Sequence, residues 1–353
     1  MTTIAVGLSG GVDSTLTALL LKEQGYTVIG LSMSIYNKDI PNMKLAGRSC
    51  YGPTEKQDIK DIQIWAQQNG IKSHIIDLSE EYKKSVLSYF KKSYLSGQTP
   101  NPCIECNTTM KFGLLIDKAR QMGIQFDYFA TGHYVQLTQY KNRFAIQRGI
   151  ESHKDQSYFL YRLPQKQLAQ TIFPLGHLTK DQVRQMAREY GLNIADKPDS
   201  QDFYGGDYAD LLQQEPKEGQ IIHTSGKILG KHNGFWNYTI GQRKGLGIAY
   251  PEPLFVIDID APHNRVIVGT KEETLRTDCM ATNCVWMGLE KAPQTPIHIM
   301  AKYRSAGLLV PATIVPKNNE ISVQFDTPQK SLTRGQSIVF YDNDIILGGG
   351  IIK

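Results

Sequence analysis

Gly7-Leu8-Ser9-Gly10-Gly11-Val12-Asp13-Ser14 stands between a β-prone run, Thr3–Leu8, and a helical pattern, Ser14–Gln24. A glycine-rich turn from strand to helix lets the backbone approach a ligand closely, and the amides opening the helix then point at an anion. The stretch is therefore expected to bind phosphate. It is not a Walker A loop, because no Lys-Ser/Thr pair follows the glycines, and it lacks the Gly-x-Gly-x-x-Gly spacing of dinucleotide-binding turns. Working outward, Thr27–Met33 reads as a strand and Thr54–Asn69 as an amphipathic helix with Ile59, Ile62 and Ala66 on one face. His74–Leu78 and Tyr128–Thr131 read as strands, and Ser79–Leu95 as a helix. Thr179–Tyr190 reads as a helix opened by a capping box, Thr179-x-x-Gln182. This alternation predicts an α/β, Rossmann-like domain with a parallel sheet covered on both faces.

After Gly205 the pattern changes. Short β-prone segments follow, at Gln220–Thr224, Leu254–Ile259, Arg265–Gly269, Ile297–Tyr303, Ala312–Val315, Ile321–Phe325 and Ser337–Tyr341. Turn signals such as Pro262-His263-Asn264 and Asn318-Asn319 separate them. This spacing predicts two small β-rich domains, the last a β-barrel. The expected boundaries are 1–204, 205–270 and 271–353.

The chain has 353 residues, 41% hydrophobic and 21% charged, as expected of a globular protein of two or three domains. No window approaches the roughly 18 apolar residues of a membrane-spanning helix, and the first residues carry no secretory pattern. No membrane partner is expected. Five cysteines argue against a disulfide framework and for a reducing, cytoplasmic location. A net charge of +5 permits a nucleic-acid partner without requiring one.

Three cysteines suggest sulfur chemistry. Asn101-Pro102-Cys103-Ile104-Glu105-Cys106-Asn107 holds a Cys-x-x-Cys on a proline-marked turn, and a helix starting there would lower a thiol pKa. Cys50 lies after the second strand, at the sheet edge where the phosphate loop is expected. The alternatives are buried thiols packing as small hydrophobes, or a zinc site completed by Cys279 and Cys284, whose spacing is loose.

Ser9–Ser14 resembles the PP-loop of ATP pyrophosphatases, which implies adenylation of a substrate oxygen, with Asp13 helping to hold Mg²⁺. Further motifs extend the likeness: Thr99-Pro100-Asn101-Pro102 with Cys106-Asn107, Lys111-Phe112, Ala130-Thr131-Gly132-His133-Tyr134, Lys154-Asp155-Gln156-Ser157-Tyr158, Asp199-Ser200, Gly230-Lys231-His232, Tyr238–Gly247, Gly335-Gln336 and Gly348-Gly349-Gly350. In that order they resemble the MnmA family of tRNA-specific 2-thiouridylases nearly end to end. The resemblance implies ATP-dependent adenylation of O2 of the wobble uridine, replacement of that oxygen by sulfur, and release of AMP and pyrophosphate. By position, Gly7, Leu8, Ser9, Gly10, Gly11, Val12, Asp13, Ser14, Met33 and Gly132 would hold ATP. Cys106 falls on the family's nucleophile. Asn101, Pro102 and Cys103 fall on the segment that meets the target base, and Lys154, Asp155, Gln156, Lys302, Tyr303 and Arg304 on tRNA-contacting segments. A sulfur donor is implied: a cysteine desulfurase, a sulfur-relay protein or sulfide.

Two departures stand out. Tyr204 occupies the position where the family usually has its second cysteine, and Cys103 the position of a common aspartate. Cys50, Cys103 and Cys106 have two readings: ligands of a 4Fe–4S cluster, an arrangement used by related tRNA-thiolating enzymes, or a persulfide on Cys106 resolved by Cys103 or Cys50. His133 is expected to be structural, and Asp199 is a candidate functional carboxylate. Lys83-Lys84 and Lys91-Lys92 read as a solvated helix face, whereas Arg243-Lys244 suits phosphate contact. Two other functions fit parts of the chain: a PP-loop enzyme moving sulfur or nitrogen onto a small molecule, and a non-catalytic tRNA- or sulfur-carrier-binding homologue.

Overall fold

The computed structural model describes residues 1–36, 49–195 and 203–353. Among the described residues, seven strands lie in the first half: β1 (Thr3–Gly7), β2 (Thr27–Ser34), β3 (Lys72–Asp77), β4 (Tyr128–Ala130), β5 (Val135–Tyr140), β6 (Arg143–Arg148) and β7 (Thr171–Ile172). The order is β3-β2-β1-β4-β7, parallel at every pairing, which gives the parallel sheet that was expected with β7 as an additional strand. Ile4 and Val6 of β1 are fully buried with Val28 and Ala130, because a strand with neighbours on both sides and helices above and below has no solvent face.

Two helices fix the geometry around β1. Helix α1 (Val12–Glu23) buries Val12, Leu16 and Leu19 with Val183 and Ala187 of the helix Lys180–Glu189. Helix α2 (Glu55–Gln68) turns Ile62 and Ala66 into the core of β1 and β2, as its periodicity predicts. The capping box of Lys180–Glu189 is complete: Gln182 N–H donates to Thr179 Oγ1, and Gln182 Oε1 accepts from the Thr179 amide.

Strands β5 and β6 form a hairpin absent from the expectations above. Its two turn residues, Lys141 and Asn142, both have positive φ, the geometry of a tight two-residue hairpin, without the Asn-Gly signature that would announce it.

The second half is β-rich, as expected. Strands β8 (Gly219–His223), β9 (Ile228–His232), β10 (Phe255–Asp260) and β11 (Arg265–Gly269) form one sheet in the order β10-β11-β8-β9. Strands β12 (Leu275–Trp286), β13 (Ile297–Lys302), β14 (Val310–Lys317), β15 (Glu320–Lys330), β16 (Ser337–Asp342) and β17 (Ile345–Ile352) follow in the order β12-β15-β14-β13-β16-β17. Pairing of β17 with β12 closes this ring, so a six-stranded barrel ends the chain. Asn264 and Asn318, in the two predicted turns, take up left-handed conformations.

The chain divides into two compact units that do not follow its linear order. The first comprises Met1–Val86, Cys103–Gly206 and Asp344–Ile346, and the second Leu87–Pro102, Asp207–Asn343 and Leu347–Lys353. The segment ahead of the Cys-x-x-Cys thus groups with the β-rich half, while both cysteines of that motif belong to the first unit.

Candidate functional site

The phosphate loop is braced from within and from β2. The Leu8 amide donates to Leu31 O (2.8 Å), and Ser32 Oγ donates to Leu8 O (2.8 Å). Ser14 Oγ donates to Gly11 O (3.1 Å) and accepts from the Ser9 amide (3.2 Å), tying the two ends of the loop together. Gly10 has φ +74°, a conformation that side-chain-bearing residues rarely adopt. No side chain caps α1 at Gly11, an arrangement that leaves first-turn N–H groups for an anion. Met33 is half-buried at the carboxyl end of β2. Next to it, the Glu55 carboxylate accepts from the amides of Ile35 (2.7 Å) and Tyr36 (3.0 Å).

Gly132 lies directly against Asp13. A Cβ there would sit 2.7 Å from the Asp13 carbonyl carbon and 2.9 Å from its Cβ, so only glycine fits. The Asp13 carboxylate is doubly held. Lys180 Nζ donates to its two oxygens at 2.8 and 2.9 Å, and Tyr134 Oη donates at 2.7 Å. Lys180 Nζ also lies 5.4 Å from the Tyr134 ring centroid. Lys180 is only 3% exposed, and its amide donates to Glu151 Oε2. Neither Lys180 nor Tyr134 was singled out for a role at the nucleotide. A lysine directly after the N-cap Thr179 reads as a helix opening, and only the packing of that helix on α1 turns it toward Asp13.

The Cys-x-x-Cys motif opens a helix at Pro102, which widens into a π-helical stretch over Cys106–Leu114. Such wide turns are uncommon and are frequent at functional sites. Glu105, between the cysteines, pairs with Arg162 at 3.0 Å, and Asn107 Nδ2 donates to Phe159 O (3.4 Å). The helix start does not lower the Cys106 pKa as expected. Burial pushes the thiol up to about 12, outweighing the attraction of Lys111, while Cys50 and Glu105 add to the rise. Cys106 is thus a protonated thiol at rest.

Cys50, Cys103 and Cys106 all fall within the electrostatic neighbourhood of one buried phenol, Tyr82, whose pKa is raised chiefly by burial. The Tyr51 ring stacks on Tyr82 with centroids 5.5 Å apart and planes at 11°. The Tyr51 amide donates to Phe203 O (3.0 Å), setting the Cys50–Tyr51 segment alongside Phe203–Tyr204. None of the three cysteines is in a disulfide, and among the described residues no group of three or more His, Cys, Asp or Glu is arranged to hold a metal ion. They share the neighbourhood of Tyr82. Cys279 and Cys284 sit in β12, both pushed up to about 12 by burial.

The expected tRNA-contacting residues divide by exposure. Asp155 is buried: it accepts from the Ser157 amide (3.1 Å), from Ser157 Oγ (2.9 Å) and from Arg148 Nε (3.3 Å). Gln156 Oε1 accepts from the Tyr134 amide (3.0 Å). These two side chains tie their loop internally, because a buried carboxylate needs such donors, so Asp155 is not a surface contact. Lys154 is half-buried. Lys302 and Tyr303 are also buried, at 4% and 7% exposure, and Tyr303 Oη donates to Gln329 Oε1 (3.2 Å). Arg304 is exposed and lies 5.1 Å over the Tyr303 ring. Arg243 and Lys244 are exposed as well. Asn101 is half-buried and Pro102 buried. His133 Nδ1 lies 2.7 Å from Thr131 Oγ1, and burial holds its pKa well below the usual histidine value, consistent with a structural imidazole. Asp199 lies outside the described residues.

Residues 2–204 match the family model of the tRNA methyl transferase HUP domain, 210–270 that of the tRNA methyl transferase PRC-barrel domain, and 276–352 that of the aminomethyltransferase beta-barrel domain. Similar proteins named tRNA-specific 2-thiouridylase MnmA are 47% identical in Endomicrobium trichonymphae, 41% in Acetivibrio thermocellus and 42% in Nostoc punctiforme. These alignments cover 99%, 99% and 100% of this chain and 98%, 99% and 99% of those relatives. With a parallel-sheet domain followed by two β-rich modules and likeness along the whole chain, the protein belongs to the MnmA family of tRNA-specific 2-thiouridylases.

Proposed function

We propose that this protein is a tRNA-uridine 2-sulfurtransferase that converts the wobble uridine of tRNA to 2-thiouridine. Uridine O2 attacks the α-phosphorus of ATP, and pyrophosphate leaves. The outer sulfur of a persulfide on Cys106 then attacks C2, and AMP departs with the former carbonyl oxygen. The thiol of Cys50 or Cys103 attacks Cys106 Sγ, releasing the thiocarbonyl and leaving a protein disulfide that an external dithiol reduces. The persulfide sulfur comes from a donor that already carries it as sulfane sulfur, such as a cysteine desulfurase or a sulfur-relay protein, whose thiolate leaves as Cys106 Sγ attacks the outer sulfur.

The observation that carries this reading is that Cys50, Cys103 and Cys106 all lie within the electrostatic neighbourhood of Tyr82, in the same compact unit as the phosphate loop. A small-molecule transferase leaves the two β-rich modules unexplained. The persulfide route is preferred because it asks only that thiols meet in pairs.

Gly7–Ser14, Met33 and Gly132 would bind ATP, with the loop amides and the start of α1 receiving phosphate oxygens. The half-open Asp13 carboxylate, a hard oxygen donor, would hold Mg²⁺, which when bound neutralises phosphate charge. Lys180 shares that carboxylate and supplies a fixed positive charge in a water-poor position. Asn101, Pro102 and Cys103 would face the target base, and Lys154 and Arg304 the tRNA. Cysteines outside any disulfide suit a reducing compartment, and no helix among the described residues is long and apolar enough to cross a membrane.

The test is tRNA-dependent release of pyrophosphate from ATP, followed by nucleoside mass spectrometry of the tRNA. Thiouridine formed by the wild type and lost in Cys106→Ser supports the assignment; pyrophosphate release indifferent to tRNA would point to a small-molecule substrate.

A further inference from the structure

The turn that precedes the Cys-x-x-Cys is gripped within the second unit from two sides. Gly97, at φ +74°, presses on the end of β10: a Cβ there would lie 3.2 Å from both Ile259 Cγ2 and Ala261 Cβ. On the other side the Thr99 amide donates to Arg334 O (2.8 Å), and Gln336 Nε2 donates to Pro100 O (3.3 Å). Gly335, at φ +88°, leaves no room for a side chain, since a Cβ would sit 2.8 Å from Gln98 Cβ and 2.9 Å from Thr99 N. The Arg334 guanidinium donates to the Asp258 carboxylate and to Ile259 O (3.2 Å).

Arg334 therefore joins three segments that are remote in sequence. Its carbonyl holds the turn, its guanidinium holds the end of β10, and its place between β15 and β16 roots both in the barrel. The Arg334–Asp258 pair is 41% and 47% exposed, and ion pairs that open to water contribute little stability. Its main consequence is geometric.

We propose that Arg334 is a positioning residue: through it the barrel sets the Gly97–Pro102 turn, so that tRNA held by the barrel meets a turn already placed for the target base. The inference rests on reading Asn101 and Pro102 as the base-meeting segment. Displacing such a segment by about an ångström can slow a reaction by up to ~10²-fold without abolishing binding.

Arg334→Ala, Arg334→Lys, Asp258→Asn and the Arg334→Ala/Asp258→Asn pair would be compared with wild type by kcat and KM for tRNA in pyrophosphate release, ATP affinity and melting temperature. Arg334→Ala is expected to lower kcat about tenfold, with ATP affinity unchanged and KM for tRNA moved less than threefold. Asp258→Asn should reproduce part of the loss, Arg334→Lys should rescue part of it, and the double variant should be no slower than Arg334→Ala. Unchanged kcat in Arg334→Ala, additive losses in the double variant, or a loss that merely follows melting would overturn the proposal. Inactive wild-type protein would instead reject the thiouridylase reading itself.

Discussion

Lys180 and Asp13 are 167 residues apart in the chain, yet the Lys180 ammonium bridges both oxygens of the Asp13 carboxylate. The pair is asymmetric: the lysine side chain is 4% exposed and the aspartate 26%. A buried ammonium needs its counter-charge, so this contact ties the first turn of α1 to the start of the helix Lys180–Glu189. Lys180→Met should reduce tRNA-dependent pyrophosphate release by ~10²-fold, the scale of losing one preorganised donor that stabilises transition-state charge. It should also cost about 2 kcal/mol of stability, because Asp13 keeps the Tyr134 hydroxyl and some water. Steady-state kinetics and denaturant melts check the two parts separately.

Gly132→Ala isolates the contact on the other side of Asp13. The added methyl would lie 2.7–2.9 Å from Asp13 backbone and Cβ atoms, and a backbone neighbour cannot rotate away. Overpacking of this kind costs about 1–3 kcal/mol. Titration calorimetry with ATP should show affinity falling at least about tenfold if the loop takes that strain.

The Cys106 thiol has a pH signature. With its pKa pushed up to about 12 by burial, the thiolate is scarce at neutral pH, and alkylation should keep accelerating with pH well above 9. A thiol activated by the helix start would level off near neutrality. Peptide mass mapping after timed iodoacetamide exposure between pH 6 and 10 separates the two, and the same rise should appear when Cys50 and Cys103 are replaced by serine.

Arg304 and Lys302 were paired by sequence but are not equivalent. Arg304→Ala, at an exposed guanidinium, should weaken tRNA binding and reduce the salt slope by about 1. Lys302→Ala, at a buried side chain, should lower the melting temperature and leave the slope unchanged. Filter binding across a salt series, with melting curves, distinguishes them.

The phosphate loop was legible because its chemistry is local: glycines, a helix start and no Walker lysine occupy one octapeptide. The parallel sheet was legible from alternating periodicities, and the barrel from evenly spaced β runs. Lys180 was not, since a lysine after a capping threonine gives no sign of which helix will pack against its own. Asp155 and Lys302 were placed at the tRNA by resemblance alone, yet both are buried, and periodicity does not report burial in irregular loops. The Cys106 pKa followed the same logic: a helix start lowers a thiol pKa only where burial does not dominate. The assignment of Leu87–Pro102 to the second unit depends on long-range contacts at Gly97, Thr99 and Pro100 that no local pattern encodes.

The central claim is that adenylation and sulfur transfer are separate tasks of one chain, the first resting on the phosphate loop and the second on Cys106. It is tested most directly by quenching single-turnover reactions of Cys106→Ser and wild type with unmodified tRNA and ATP, and measuring pyrophosphate and 2-thiouridine in the same samples. The expected result is tRNA-stimulated pyrophosphate release by both proteins and thiouridine from the wild type alone. Thiouridine formed by Cys106→Ser, or tRNA-independent pyrophosphate release by the wild type, would contradict it.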